Sequence, residues 1–176
     1  MAGSTPRERE VRTLVLLRHA KSDYPPGVPD HDRPLAPRGQ RDAPAAGGWL
    51  AEHWPAIDRV VVSSAVRAQQ TWDRVAPLVP RVGAVVTEPR IYEATPAILA
   101  GIVSALPSDE NTVMIVGHNP GLEDFAAMIT ASGEGDAMER LSLKYPTSGI
   151  AVLQAEGSWP DLLAGGHLVE FVAPRG

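Results

Sequence analysis

Apolar residues fall into short runs separated by longer amphipathic stretches, and this alternation sets the expected architecture. Residues 11–17 (VRTLVLL) end in an unbroken block of Leu and Val, which predicts a strand buried on both faces. Residues 58–62 (DRVVV) and 111–116 (NTVMIV) repeat that pattern, and 84–87 is a weaker version extending at most to Tyr92. Between them lie helical stretches. One runs over 37–53 with Pro37 at its first position, and one over about 65–79, capped by Ser63 or Ser64 and ended by Pro80. A third covers 96–106 with Thr95 as its cap, and a fourth runs to about Thr130, capped by Asn119 and opened by Pro120. Residues 131–149 read as a loop-rich insertion, and 150–154 with 167–172 as a closing, hairpin-like strand pair. Residues 1–10 read as a flexible tail, leaving 11–176 as a single domain. Strands alternating with helices predict a three-layer α/β/α sandwich around a mostly parallel sheet, with one antiparallel strand from the closing pair.

Composition narrows the function classes. The chain has 176 residues, 44% hydrophobic, enough for one substantial core. A net charge of -5 argues against a general nucleic-acid binder. The polar start lacks the apolar core of a signal peptide and no stretch approaches transmembrane length, so no membrane association and a cytoplasmic location are expected. With no cysteines there are no disulfides, thiolate metal sites or cysteine nucleophiles. Lys21 and Lys144 are the only lysines among many arginines, in an Ala-, Gly- and Pro-rich composition such as a GC-rich bacterial genome encodes. On an acidic chain an anion must be gripped by a local cluster of cations.

Such a cluster is expected where strands end. In open α/β sheets ligands bind at the carboxyl ends of the strands. Arg18 and His19 follow the first strand, Ser63, Ser64 and Arg67 the second, and Gly117, His118 and Asn119 the later central one. With Ser64 as cap, Arg67 lies at the third helical position, where a cation opposes the helix dipole at a cost of about 0.3–1 kcal/mol. A bound anion reverses that cost. A metal is the competing use of two histidines, but zinc takes three or four ligands and Arg18 repels a dication, so no metal is expected. Residues 20–36 form a long Pro-rich loop beside this edge. Lys21 is expected at the rim of a substrate, and Arg33 in the loop and Arg38 just past it add charge, pair with Asp32, or simply salt-bridge the loop into its own shape. His31, His53 and His167 read as structural or solvated.

The stretches LLRHAKS (16–22), SSAVRAQQT (63–71) and VGHNP (116–120) resemble, in order and position, the signatures of the histidine phosphatase (phosphoglycerate mutase-like) superfamily. Among its branches, the nearest resemblance is to the small SixA-type phosphohistidine phosphatases. The likeness runs from about Leu14 to Met128 and takes in DHDRPLAPRGQRDA (30–43) and YEATP (92–96). It implies a phosphoglycerate mutase-like fold and a phosphatase needing no metal or other cofactor. His19 would be the nucleophile that forms a phosphohistidine intermediate, Arg18, Arg67 and His118 would hold the phosphoryl oxygens, and Glu93 would be the proton donor. Ala20 replaces the superfamily's usual glycine, as it does in the SixA-type branch. Asn119 stands where the acid phosphatase branch has an aspartate, which argues against that branch. The insertions that build the pockets of sugar-phosphate mutases are absent. The implied substrate is phosphohistidine on a protein or a small phosphoester, with Lys21 and Arg33 as candidate binding residues. A non-catalytic phosphate-binding adaptor and a metabolite phosphomutase are the other readings.

Overall fold

A computed structural model of the chain describes residues 10–176; nearly all of the expected tail, residues 1–9, lies outside the described residues. Strand β1 (Val11–Arg18) occupies the middle of a seven-stranded sheet of order β3-β2-β4-β1-β6-β7-β5. The other strands are β2 (Ala56–Val62), β3 (Arg81–Thr87), β4 (Thr112–Gly117), β5 (Thr130–Gly133), β6 (Ile150–Glu156) and β7 (Gly166–Val172). Every pairing is parallel except those that β6 makes with β1 and β7. The mostly parallel sheet with one antiparallel strand is therefore the one the hydrophobic pattern predicts.

The period-two geometry of a strand explains why β1 has no polar alternation. Val15 and Leu17 point to one face, into a core with Leu50, Ala68, Trp72 and Val75. These come from α1 (Pro37–His53) and α2 (Val66–Val75). Leu14 and Leu16 point to the other, packing with Leu99, Phe125, Leu141 and Trp159. These come from α3 (Pro96–Ser104), α4 (Gly121–Ile129), α5 (Ala137–Leu143) and α6 (Trp159–Ala164). Residues 14–17 are each 0% exposed, two of them gripped by each helical layer.

Local differences from the sequence reading have physical causes. Residues 131–149 hold most of β5 and all of α5, because this segment completes the sheet edge beside β7 and packs Leu141 into the core. β6 and β7 pair antiparallel as expected, but α6 bridges them, closed by a capping box between Ser158 and Asp161. Thr95 caps α3 by accepting from Ile98 N–H, as predicted. Ser63, Ser64 and Asn119 cap nothing: α2 starts after Ala65 and α4 after Pro120, neither with a side-chain cap.

Glycines in α1 separate close approach from open surface. A Cβ on Gly39 would collide with the carbonyl oxygen of Lys21, whereas Gly48 has no atom within 4 Å of that position. Gly39→Ala should therefore destabilise the protein by about 1–3 kcal/mol. Gly48→Ala should stabilise it by about 0.5–1 kcal/mol. Urea denaturation midpoints of the two variants check this, and equal shifts would contradict the close approach.

Candidate active site

Strand register assembles the site. Arg18 lies beside Gly117, and Val62 beside Val116, so the ends of β1, β4 and β2 are flush. The backbone continues the ladder one residue further: His19 N–H donates to Gly117 O at 2.9 Å, and Ser63 N–H to Val116 O at 3.0 Å. His19, His118 and Ser63 thus leave the sheet side by side. The two imidazole rings lie 5.1 Å apart between centroids.

His19 is 6% exposed, and its Nδ1 lies 2.7 Å from the carbonyl oxygen of its neighbour Ala20. A carbonyl only accepts, so Nδ1 carries the proton and Nε2 keeps a free lone pair. The Ala20 carbonyl is itself fixed: Ala20 N–H donates to Thr71 Oγ1 at 2.9 Å, and the Thr71 hydroxyl donates to Arg67 O at 2.7 Å. Burial, with smaller contributions from His118, Arg67 and Arg18, lowers the His19 pKa to about 3. The imidazole is therefore neutral at physiological pH.

His118 is lowered to about 3 as well, by burial first and the Arg67 charge second. Its Nε2 sits 2.7 Å from Ser63 Oγ. That hydroxyl oxygen also accepts from Ala65 N–H. Its other ring nitrogen, Nδ1, is buried and has no partner among the described residues. Arg18 Nε and Arg67 Nε share that condition. Arg18 spends one N–H on Tyr145 O at 2.8 Å, and Arg67 spends one on Asp30 O at 2.8 Å. Two unpaired guanidinium N–H groups and one unpartnered imidazole nitrogen converge at one strand edge. Buried donors in this state suit an acceptor-only oxyanion such as a phosphoryl group.

Several participants were not singled out from the sequence. Asp30 accepts from Arg67, from Arg33 Nε at 3.0 Å and from the Tyr92 hydroxyl. The Tyr92 bond comes first among the causes that hold its carboxyl well below the usual range. Tyr92 also meets His118 edge-on at 5.6 Å and His31 at 4.9 Å. His31, expected to be structural or solvated, bonds Ser64 Oγ at 2.9 Å and so helps latch the Pro-rich loop beside the site. The only sequence signal was the DHDR charge cluster, whose partners lie 37 and 62 residues away.

The loop cations behave differently from one another. Arg33 is 9% exposed, its guanidinium bonded to Asp30, Ser22 Oγ and Asp23 O and lying 3.9 Å from the Tyr24 ring. It braces the loop, and Asp30 links it to Arg67. Its ion-pair partner is Asp30, and that of Arg38 is Asp42, in place of Asp32. Lys21 is exposed, two residues past His19. Glu93 is exposed and adopts a left-handed backbone with φ 58°. It lines a cleft of about 430 Å³ that also includes Asp30, Arg67, Tyr92 and His118.

Comparison with known proteins identifies the family. Residues 14–105 match the histidine phosphatase superfamily (branch 1). An uncharacterised protein of Mycobacterium tuberculosis is 43% identical over 162 residues, covering 90% of this chain and all of that protein. Two solved structures are described as candidate phosphohistidine phosphatases SixA. The one from Nakamurella multipartita is 34% identical with a TM-score of 0.81, over 95% of this chain and 98% of that one. The one from Agrobacterium tumefaciens is 30% identical with a TM-score of 0.76, over 93% and 98%. With the RHA motif on β1, Arg67 on α2 and His118 after β4 gathered at one sheet edge, the chain belongs to the histidine phosphatase superfamily, on its SixA-like branch.

Proposed function

We propose that the protein is a phosphatase that needs no metal and works through a phosphohistidine on His19. The observation that carries this reading is the His19 imidazole: neutral, fixed through Nδ1 to Ala20 O, and with Nε2 free beside the unpaired guanidinium N–H groups of Arg18 and Arg67. Nε2 attacks phosphorus, the bond to the leaving group breaks, and Arg18, Arg67 and His118 hold the phosphoryl oxygens as charge shifts onto them. Glu93 gives its proton to the departing atom. A water then attacks the phosphohistidine, Glu93 takes that water's proton, and His19 and phosphate are released. The substrate is phosphohistidine of a protein or a small phosphoester, a reading supported by the names of the SixA-like relatives. Lys21 stands at the rim, where it would meet the substrate. No helix of the described residues is long and apolar enough to cross a membrane.

His19→Ala should lower phosphate release from 4-nitrophenyl phosphate by on the order of 10³-fold or more. Chelators should leave the wild-type rate unchanged. Rapid quench at alkaline pH should trap an acid-labile phosphoryl label on the wild type and none on the variant. A label elsewhere, or none during turnover, would rule out His19 as nucleophile; binding without turnover would instead identify an adaptor.

General acids typically contribute about 10²–10⁴-fold. Glu93→Gln should lose about that factor on alkyl phosphates, whose leaving groups need a proton, and far less on 4-nitrophenyl phosphate. Equal losses on both would remove Glu93 from the donor role.

The lowered histidine pKa values also make stability depend on pH. Both imidazoles titrate near 3 when folded and near 6.5 when unfolded, so the unfolded chain binds more protons between those values. Stability is full above about pH 6.5 and falls as pH drops toward 3. From pH 6.5 to about 5, each histidine should remove about 1.5 kcal/mol. Urea unfolding across that window should show a shallower slope in His19→Asn. An unchanged slope would mean that His19 is not held neutral by burial.

A further inference from the structure

The cleft that begins at Arg67 and His118 continues outward between the starts of two helices. Its walls are Tyr92, Glu93, Ala94, Thr95 and Pro96 on the α3 side, and Asn119, Pro120, Gly121 and Asp124 on the α4 side. Arg67 and His118 form its floor, 6% and 8% exposed, each with an unpaired buried nitrogen. The floor is thus built for the phosphoryl oxygens, and the rest of the cleft faces whatever the phosphorus is bonded to.

Charge changes sign along that path. Two helix N-termini open onto the outer cleft and, left alone, would attract a second anion. They are countered by carboxylates: Glu123 and Asp124 in the first turn of α4, and Glu93 just before α3. Among the described residues Glu93 and Asp124 are exposed and form no ion pair with any Lys or Arg. No Lys or Arg among the described residues lines the outer walls, and the one that lines the cleft is Arg67, on the floor and already bonded to Asp30. A carboxyl group is neutral or negative and never positive, so neither Glu93 nor Asp124 adds positive charge to the cleft.

We infer that this cleft selects phosphates whose leaving group is cationic, and rejects those bearing a carboxylate or a second phosphate beside the scissile bond. The leaving groups of that chemistry are small amines and basic peptide segments. The inference rests on the proposed phosphatase reaction for its turnover consequences, but not for its binding consequences. Opposite charges steer encounter and orientation without great gain in affinity, so the expected discrimination is moderate and sensitive to salt.

A matched series tests it: 4-(aminomethyl)phenyl, 4-(hydroxymethyl)phenyl and 4-(carboxymethyl)phenyl phosphate, with the corresponding non-hydrolysable arylmethylphosphonates. At low ionic strength kcat/KM should fall in that order, by about tenfold from amine to carboxylate, and the gap should narrow in salt. Phosphonate affinities, measured calorimetrically, should follow the same order. Asp124→Asn should shrink the amine-to-carboxylate ratio in both series. Equal or reversed order among the phosphonates, or a ratio that Asp124→Asn leaves untouched, would overturn the inference. If no ester turns over while the phosphonates still rank as expected, the reaction assignment fails and the cleft assignment stands. Phosphohistidine peptides with Lys or Glu flanks complete the test: a Lys preference exceeding the amine preference names a basic peptide as the ligand, and a smaller one names a small amine.

Discussion

The rest of the site depends on the register of β1 against β4. Arg18 pairs with Gly117 in the ladder, and His19 N–H bonds Gly117 O, so the two histidines leave adjacent strands at the same height. A slip of one residue would turn every β1 side chain to the opposite face. Leu14 to Leu17, buried against helices on both faces, oppose that slip with two cores at once. The apolar run that precedes Arg18 and His19 is therefore the part of the machinery that fixes where they stand.

Holding cations at such an edge has a cost that the protein meets unevenly. Burial lowers the Arg18 pKa, and the carboxylate of Glu123 opposes that shift. Arg67 lies at the second helical position of α2, one earlier than a Ser64 cap implied, and Asp30 supplies the neighbouring negative charge. Neither arginine has all its N–H groups satisfied by protein. Unmade bonds to buried donors cost on the order of 1–3 kcal/mol each, so a ligand oxygen that completes them gains what folding left unspent.

Much of this was legible in the sequence because it is local. Apolar periodicity gave the long helices and central strands, and Thr95 capped where its position predicted. What failed was local chemistry redirected by distant partners. Ser63 looked like a cap, yet its hydroxyl serves His118, 55 residues away. Asn119 looked like another, yet its side-chain amide donates to Tyr145 O and Glu123. Arg33 looked able to pair with Asp32, yet it pairs with Asp30, because partners in a polar loop are indistinguishable in sequence. β5 and α5 went unseen because short, weakly apolar segments acquire their structure from the sheet edge and core they complete.

Two residues show where the fold accepts strain to shape the site. Glu93 and Ser148 are the non-glycine residues with positive φ among those described, and both lie at this edge. Such conformations persist only where surrounding contacts over-determine them. For Ser148 the contacts are explicit: its N–H donates to both Arg18 O and His19 O, at 3.1 and 3.2 Å, while Gly149 O accepts from Arg18 N–H. The turn thus clamps the backbone of the RHA motif from the side opposite β4. For Glu93 the anchor is its neighbour Tyr92, whose hydroxyl bonds Asp30 and whose ring packs edge-on against His118. Asp30 in turn holds Arg67. The strained turn, the buried Arg67 and the Pro-rich loop therefore share one carboxylate. A shift in any of the three must be felt by the other two, which ties the shape of the outer cleft to the geometry of its floor.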